Sequence, residues 1–126
     1  MTKTVEELLP EAMLATFRSR AAGYDEANSF CHEDFADLQA ADYLKMLVPA
    51  SDGGLGYGLR QASLAQLRLA SAAPATALAV NMHLVWTGVA QVMRARGDRS
   101  LDFVLEEASR GEIFGFGVSE AGNDHV

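Results

Sequence analysis

The 126-residue sequence has a single cysteine, three prolines and only ten basic residues, and each shortage excludes something. Cys31 has no partner for an internal disulfide, which fits a reducing compartment; a cytoplasmic location is expected. Ten Lys and Arg face seventeen Asp and Glu, for a net charge of -7. The densest basic group is Arg94, Arg96 and Arg99, so the concentrated basic face needed for nucleic acid is missing. Glu6, Glu7 and Pro10 interrupt the place where a signal peptide would need an apolar run, and no secretory leader is expected. Residues 69–93 carry no charge and are numerous enough to span a bilayer. Pro74, Asn81, His83, Gln91 and a high share of alanine and serine keep that stretch only weakly apolar. A helix buried on all sides is expected there, not a membrane span. Cys31, His32, His83 and His125 are too scattered for a zinc site, and no metal is expected. His83, inside the uncharged stretch, reads as a hydrogen-bonded core histidine.

What is present is material for a core. Hydrophobic residues make up 49% and charged residues 21%, the balance of a folded domain. A domain of this size buries roughly two-thirds of its unfolded surface. Five helices are expected. The first covers about 4–22, with Thr4 and Glu7 as a capping box, a restart at Pro10 and a stop at Gly23. The second covers about 33–45 and is closed before Pro49. The third covers about 59–72. The fourth starts at Pro74 and closes at Gly97, and the fifth covers about 99–110 and stops at Gly111. Residues 53–58 read GGLGYG, but the glycine spacing is wrong for a dinucleotide loop and no strand precedes it; a tight turn between helices is expected.

Residues 113–119 read differently, with the period of a strand. Phe114, Phe116 and Val118 share one side, and Ile113, Gly115 and Gly117 the other. A lone strand leaves its backbone groups without ladder partners. The chain is therefore expected to be the front of a longer protein, with a helical domain over 1–111 and the start of a β-domain over 112–126. Two glycines on one strand face admit something flat, and Ser119 offers a hydroxyl and an amide at its end. A planar heterocycle with polar edges suits that face; so does a helix packed tightly on it. No convincing nucleophile, general base or catalytic residue is found: Glu106 and Glu107 diverge on a helix, and no histidine is placed to serve Ser119 except His125.

Three motifs in order then resemble a known family. Val48-Pro49 followed by Gly53-Gly54-Leu55-Gly56 looks like a helix-ending VP…GGLG loop. A helix with His83 closes at Gly97 and is followed by a further helix and Gly111-Glu112. Val118-Ser119-Glu120-Ala121-Gly122-Asn123-Asp124 is similar to the signature TEPGAGSD. With these, the chain resembles the N-terminal part of the acyl-CoA dehydrogenase family over essentially its whole length.

The resemblance implies an all-α N-terminal helical domain, ending in one β-strand of a middle β-domain that lies beyond this sequence. It implies FAD and an acyl-CoA substrate for the parent protein, an electron acceptor, and a homo-oligomer. Phe116, Val118 and Ser119 would line the flavin; Asn81, Met82, Trp86 and Asn123 would border the substrate. The family's catalytic carboxylate belongs to a C-terminal domain, so the fragment alone is expected to be inactive. Ala121 stands where the family has proline, and the signature is two residues short. Those departures keep open a related flavoenzyme, such as an acyl-CoA oxidase, a flavin monooxygenase or a nitroalkane oxidase. A complete small helical protein that lends its last strand to a partner's sheet is the remaining alternative.

Overall fold

The computed structural model describes residues 2–117, and among these the fold is all-helical. Six α-helices follow in order: α1 Val5–Leu8, α2 Glu11–Ala27, α3 His32–Ala40, α4 Leu59–Ala72, α5 Pro74–Ala95 and α6 Asp102–Ser109. Two short 3-10 turns, Tyr43–Lys45 and Ala50–Asp52, lie between α3 and α4.

Local signals set most boundaries. The Thr4 hydroxyl accepts the Glu7 amide at 3.1 Å, and the Glu7 carboxylate accepts the Thr4 amide at 2.7 Å, so the capping box forms. Pro10 splits the expected first helix: it is the residue before α2 and takes extended backbone, so α1 is one separate turn. Pro74 opens α5, where its missing N–H costs nothing. Gly97 (φ 86°) and Gly111 (φ 99°) close α5 and α6 in left-handed backbone.

Two expected boundaries fail. Gly23 does not stop α2, which runs on to Ala27 and ends at Asn28 in left-handed backbone. A helical glycine costs only about 1 kcal/mol relative to alanine. Contacts on both sides of it hold the helix: Arg20 pairs with Asp37 at 2.7 Å and Asp34 at 3.1 Å, and the Tyr24 hydroxyl donates to Asp34 at 3.4 Å. The second expected helix, to residue 45, ends at Ala40 instead. Asp42 turns left-handed (φ 64°), and Tyr43, Leu44, Met46, Leu47 and Val48 are all buried. A nearly continuous buried run has no outward face, so it cannot extend a surface helix.

The main core gathers Leu8 and Leu9 from α1, Leu14 and Phe17 from α2, Leu38 from α3, Tyr43 to Leu47, and the inner faces of α4 and α5. Each fully buried Leu or Phe contributes roughly 1.5–3 kcal/mol. Alanines 62, 65, 72 and 77 form much of the α4–α5 seam and admit close helix approach. A smaller cluster, Ala90, Val104 and Leu105 with Trp86, Leu101 and Phe114 against it, joins α5 to α6.

No helix among the described residues is long and apolar enough to cross a membrane. α5, uncharged from Pro74 to Met93, is however not packed on all sides as expected. Thr76, Val80, His83, Thr87 and Ala90 are buried, while Leu78, Met82, Val85, Val89 and Val92 are exposed. No strand occurs among the described residues, so the strand expected over 113–119 is not formed in 113–117; its remainder lies outside them. A ladder needs a second strand, and none is described.

Candidate functional site

Two surfaces meet on α5. The first is a groove of about 740 Å³ between α4 and α5. Leu59, Leu67, Leu78, Val85, Val89 and Val92 line its walls, and Ser63, Gln66, Asn81 and Gln91 supply its polar groups. No Asp, Glu, His, Lys or Arg lines it. Its size and apolar lining suit an aliphatic guest, but it holds no group able to move a proton.

The polar groups of the groove are largely committed to the fold. Burial pushes the Tyr43 hydroxyl well above the usual tyrosine range, so it stays protonated and donates to Gln66 Oε1 at 2.7 Å. Gln66 Nε2 then donates to the Ala77 carbonyl and to Asn81 Oδ1, both at 3.2 Å. Gln91 Nε2 bridges the carbonyls of Leu47 (3.0 Å) and Tyr57 (2.8 Å), stitching α5 to the chain on either side of the glycine loop. Asn81 Nδ2 makes no hydrogen bond among the described residues, which leaves a donor for a bound carbonyl.

The second surface is an aromatic corner where residues 113–117 return to α5. Phe116 stacks on Trp86 with centroids 5.5 Å apart, and Phe114 stacks on His83 at 6.2 Å and meets Phe103 edge-on at 6.5 Å. Phe114 and Phe116 thus share a side, as the alternating pattern requires. A side chain built at Gly115 or Gly117 would meet nothing within 4 Å, so the opposite side is bare backbone. His83 is buried and fully bonded. Its Nε2 faces the Leu44 carbonyl at 2.7 Å, and its Nδ1 accepts the Phe114 amide at 3.2 Å. Burial holds its ring below the usual histidine range, partly opposed by the Leu44 carbonyl.

The glycine loop is a brace rather than a ligand cradle. The amides of Leu55, Gly56 and Tyr57 donate back to the carbonyls of Lys45, Val48 and Met46 at 3.1, 2.9 and 2.7 Å. At its edge Arg94 pairs with Asp52 and, at 2.9 Å, with Asp102, holding both carboxyls below the usual range.

The sequence-derived residues are therefore divided. Trp86 and Phe116 come together in the aromatic corner; Asn81 faces the groove; Met82 is exposed and lines neither. Val118, Ser119 and Asn123 lie outside the described residues. Sequence reasoning missed Gln66 and Gln91, and the partners of His83 and Trp86. For Gln91, its place inside the uncharged stretch 69–93 was the available signal.

A curated protein, "Putative acyl-CoA dehydrogenase YdbM" of Bacillus subtilis (strain 168), is 31% identical over 105 residues. The chain is similar to part of an acyl-CoA dehydrogenase-like protein. That match takes in 83% of this chain and 28% of the relative, so the chain spans well under a third of that protein's length. No protein-family profile matches the chain, and no solved structure does.

Proposed function

We propose that the chain is the helical N-terminal part of an FAD-dependent oxidoreductase of the acyl-CoA dehydrogenase type, which forms an α,β double bond in an acyl-CoA thioester. The observation that carries this reading is the 31% identity over 105 residues, a stretch far longer than any one of the three motifs. The groove supports it: an apolar trough without a titratable group suits binding an acyl chain and leaves proton abstraction to a carboxylate elsewhere in the parent protein. Bound flavin supplies an acceptor for the hydride that leaves the substrate's β-carbon.

The described residues fit one wall of a flavin site. Bare backbone at Gly115 and Gly117 admits a planar ring, and Trp86 fixes Phe116 at its edge. In this reading the backbone of Phe116 and Val118 and the hydroxyl and amide of Ser119 contact the flavin, and Asn81 offers its amide hydrogens to the acyl group. Trp86 acts by positioning Phe116, Asn123 meets the substrate beyond the signature, and Met82, exposed and outside the groove's lining, is given no contact. The whole enzyme works as a homo-oligomer with a separate electron acceptor.

The test is to purify the full-length protein and measure bound flavin, then turnover of acyl-CoAs of graded length with an artificial acceptor. Flavin-dependent turnover by that protein, and none by residues 1–126 alone, is the expected result. Turnover by residues 1–126 alone, or a full-length protein that neither binds FAD nor oxidises any acyl-CoA, would sink the reading. Ala121 in place of the family's proline and the shortened signature favour, as a second reading, a related oxidase or monooxygenase. Oxygen consumption that matches substrate loss without an added acceptor separates it from the first.

A further inference from the structure

We infer that His83 is a proton-controlled latch: its neutral ring ties residues 113–117 to α5, and a proton on Nδ1 releases them. The geometry fixes the ring's state. Among the described residues, Nε2 faces the Leu44 carbonyl alone, at 2.7 Å, so it must carry a hydrogen. Nδ1 faces the Phe114 amide alone, at 3.2 Å, so it must present its lone pair. One imidazole thus serves as donor to the turn after α3 and as acceptor from the returning segment, which a neutral ring alone can do. Adding a proton to Nδ1 sets two N–H groups against each other and leaves a cation in a buried site.

Among the described residues, no carboxylate is free to compensate such a cation. Tyr43 and Lys45 lie on the turn beneath the ring, and Lys45 pairs with Asp42 at 3.3 Å. On α6, Asp102 is held by Arg94 and Arg99, Glu107 pairs with Arg110 at 2.5 Å, and Glu106 is exposed. Arg60 and Arg68 lie on α4, which packs on α5, and Glu112 starts the segment itself. No carboxylate pairs with the His83 ring among the described residues.

Among the described residues, the segment's hydrogen bond to α5 is the one from the Phe114 amide, and its other attachments are apolar. Phe114 packs on the Ala90, Val104 and Leu105 cluster and against His83 and Phe103, Phe116 stacks on Trp86, and Ile113 lies beside Leu44 and Ala108. Phe116 itself is 53% exposed. The latch requires no flavin and stands apart from the proposed enzyme activity.

Amide hydrogen exchange of Phe114 in the full chain tests this, between about pH 8 and pH 5, corrected for the intrinsic rate. Protection is expected to fall about tenfold in step with the imidazole signals of His83, and to be flat with pH in His83→Gln, which keeps a donor and an acceptor but cannot titrate. Trp86, the sole tryptophan, should shift its emission to the red over the same range in the wild type only. Protection that ignores the His83 titration, or the same pH dependence in His83→Gln, overturns the latch. Should that variant fail to fold, the ring nitrogen spectrum of the wild type decides: a proton on Nε2 at neutral pH is expected, and a proton on Nδ1 instead refutes it.

Discussion

Replacing Gly54 with alanine should damage this fold more than replacing its neighbour Gly53, although Gly53 has the less ordinary backbone. A β-carbon at Gly54 would lie 2.6 Å from the carbonyl carbon of Val48 and closer still to its oxygen and Cβ. The obstacle is backbone, and it cannot swing aside: Val48 is fully buried, Pro49 follows it, and its carbonyl accepts the Gly56 amide at 2.9 Å. Overpacking of this kind costs about 2 kcal/mol, and losing that hydrogen bond adds about 1 kcal/mol. At Gly53 (φ 87°) a β-carbon would meet nothing within 4 Å, so only the left-handed backbone is penalised, at about 1 kcal/mol. With roughly 4 °C of melting temperature per kcal/mol for a domain of this size, Gly54→Ala should lose about 12 °C and Gly53→Ala about 4 °C. Thermal unfolding followed by circular dichroism on both variants decides it. Equal losses would refute the argument that the loop is braced by backbone contact.

Gln91→Leu should cost about 2 kcal/mol in urea unfolding, because it strips the shared donor from two carbonyls, those of Leu47 and Tyr57, in buried residues. Phe17→Ala should cost about 4 kcal/mol, since Phe17 is wholly buried between helices with little room to collapse. The His83 ring binds its proton more weakly folded than unfolded, so its contribution is complete above the unfolded value of about 6.5 and is lost as pH falls from there through its lowered folded value. Urea midpoints should therefore drop between neutral and mildly acid pH, and drop less in His83→Gln. Asp52 and Asp102, held low by Arg94, contribute in a separate window: their share is present above about pH 4 and disappears only as pH falls below it. An Arg94→Met variant should lose that lower transition and keep the upper one.

What was legible in the sequence was local. Thr4 and Glu7, Pro74, Gly97 and Gly111 each act on their own turn of chain, so their roles follow from spacing alone. The boundaries that failed depend on distant contacts: α2 outruns Gly23 because Arg20 and Tyr24 reach α3, and α3 stops because the run from Tyr43 to Val48 is wanted in the core. The candidate site divides in the same way. That Phe114 and Phe116 share a side could be read from alternation, but that His83 and Trp86 receive them could not, since no periodicity links α5 to residues 113–117. Nor does anything in the local sequence tell that Gln66 and Gln91 serve the backbone, because their acceptors lie in other elements.

The absence of charge along α5 as far as Met93 then has a cause other than full burial. At about 100° per residue, Val80, His83, Thr87 and Ala90 fall on the face turned into the protein, and Leu78, Asn81, Val85 and Val92 fall on the groove face. Trp86 sits between them and takes Phe116. The same rotation spreads Asn81, Met82 and Trp86 around more than a third of the helix. Only one turn of the wheel is committed to the core, yet the groove side is equally bare of charge. Contiguous exposed apolar surface of this kind is uncommon on an isolated domain and marks a face that meets something else. A charge placed there tests the point without touching the core. Val89→Lys should leave the melting temperature within about 2 °C, since Val89 is already 41% exposed. In the full-length protein the same change should impair acyl-CoA turnover. If turnover is untouched, the groove is not the acyl site, and the flavin reading must stand on residues beyond Gly117.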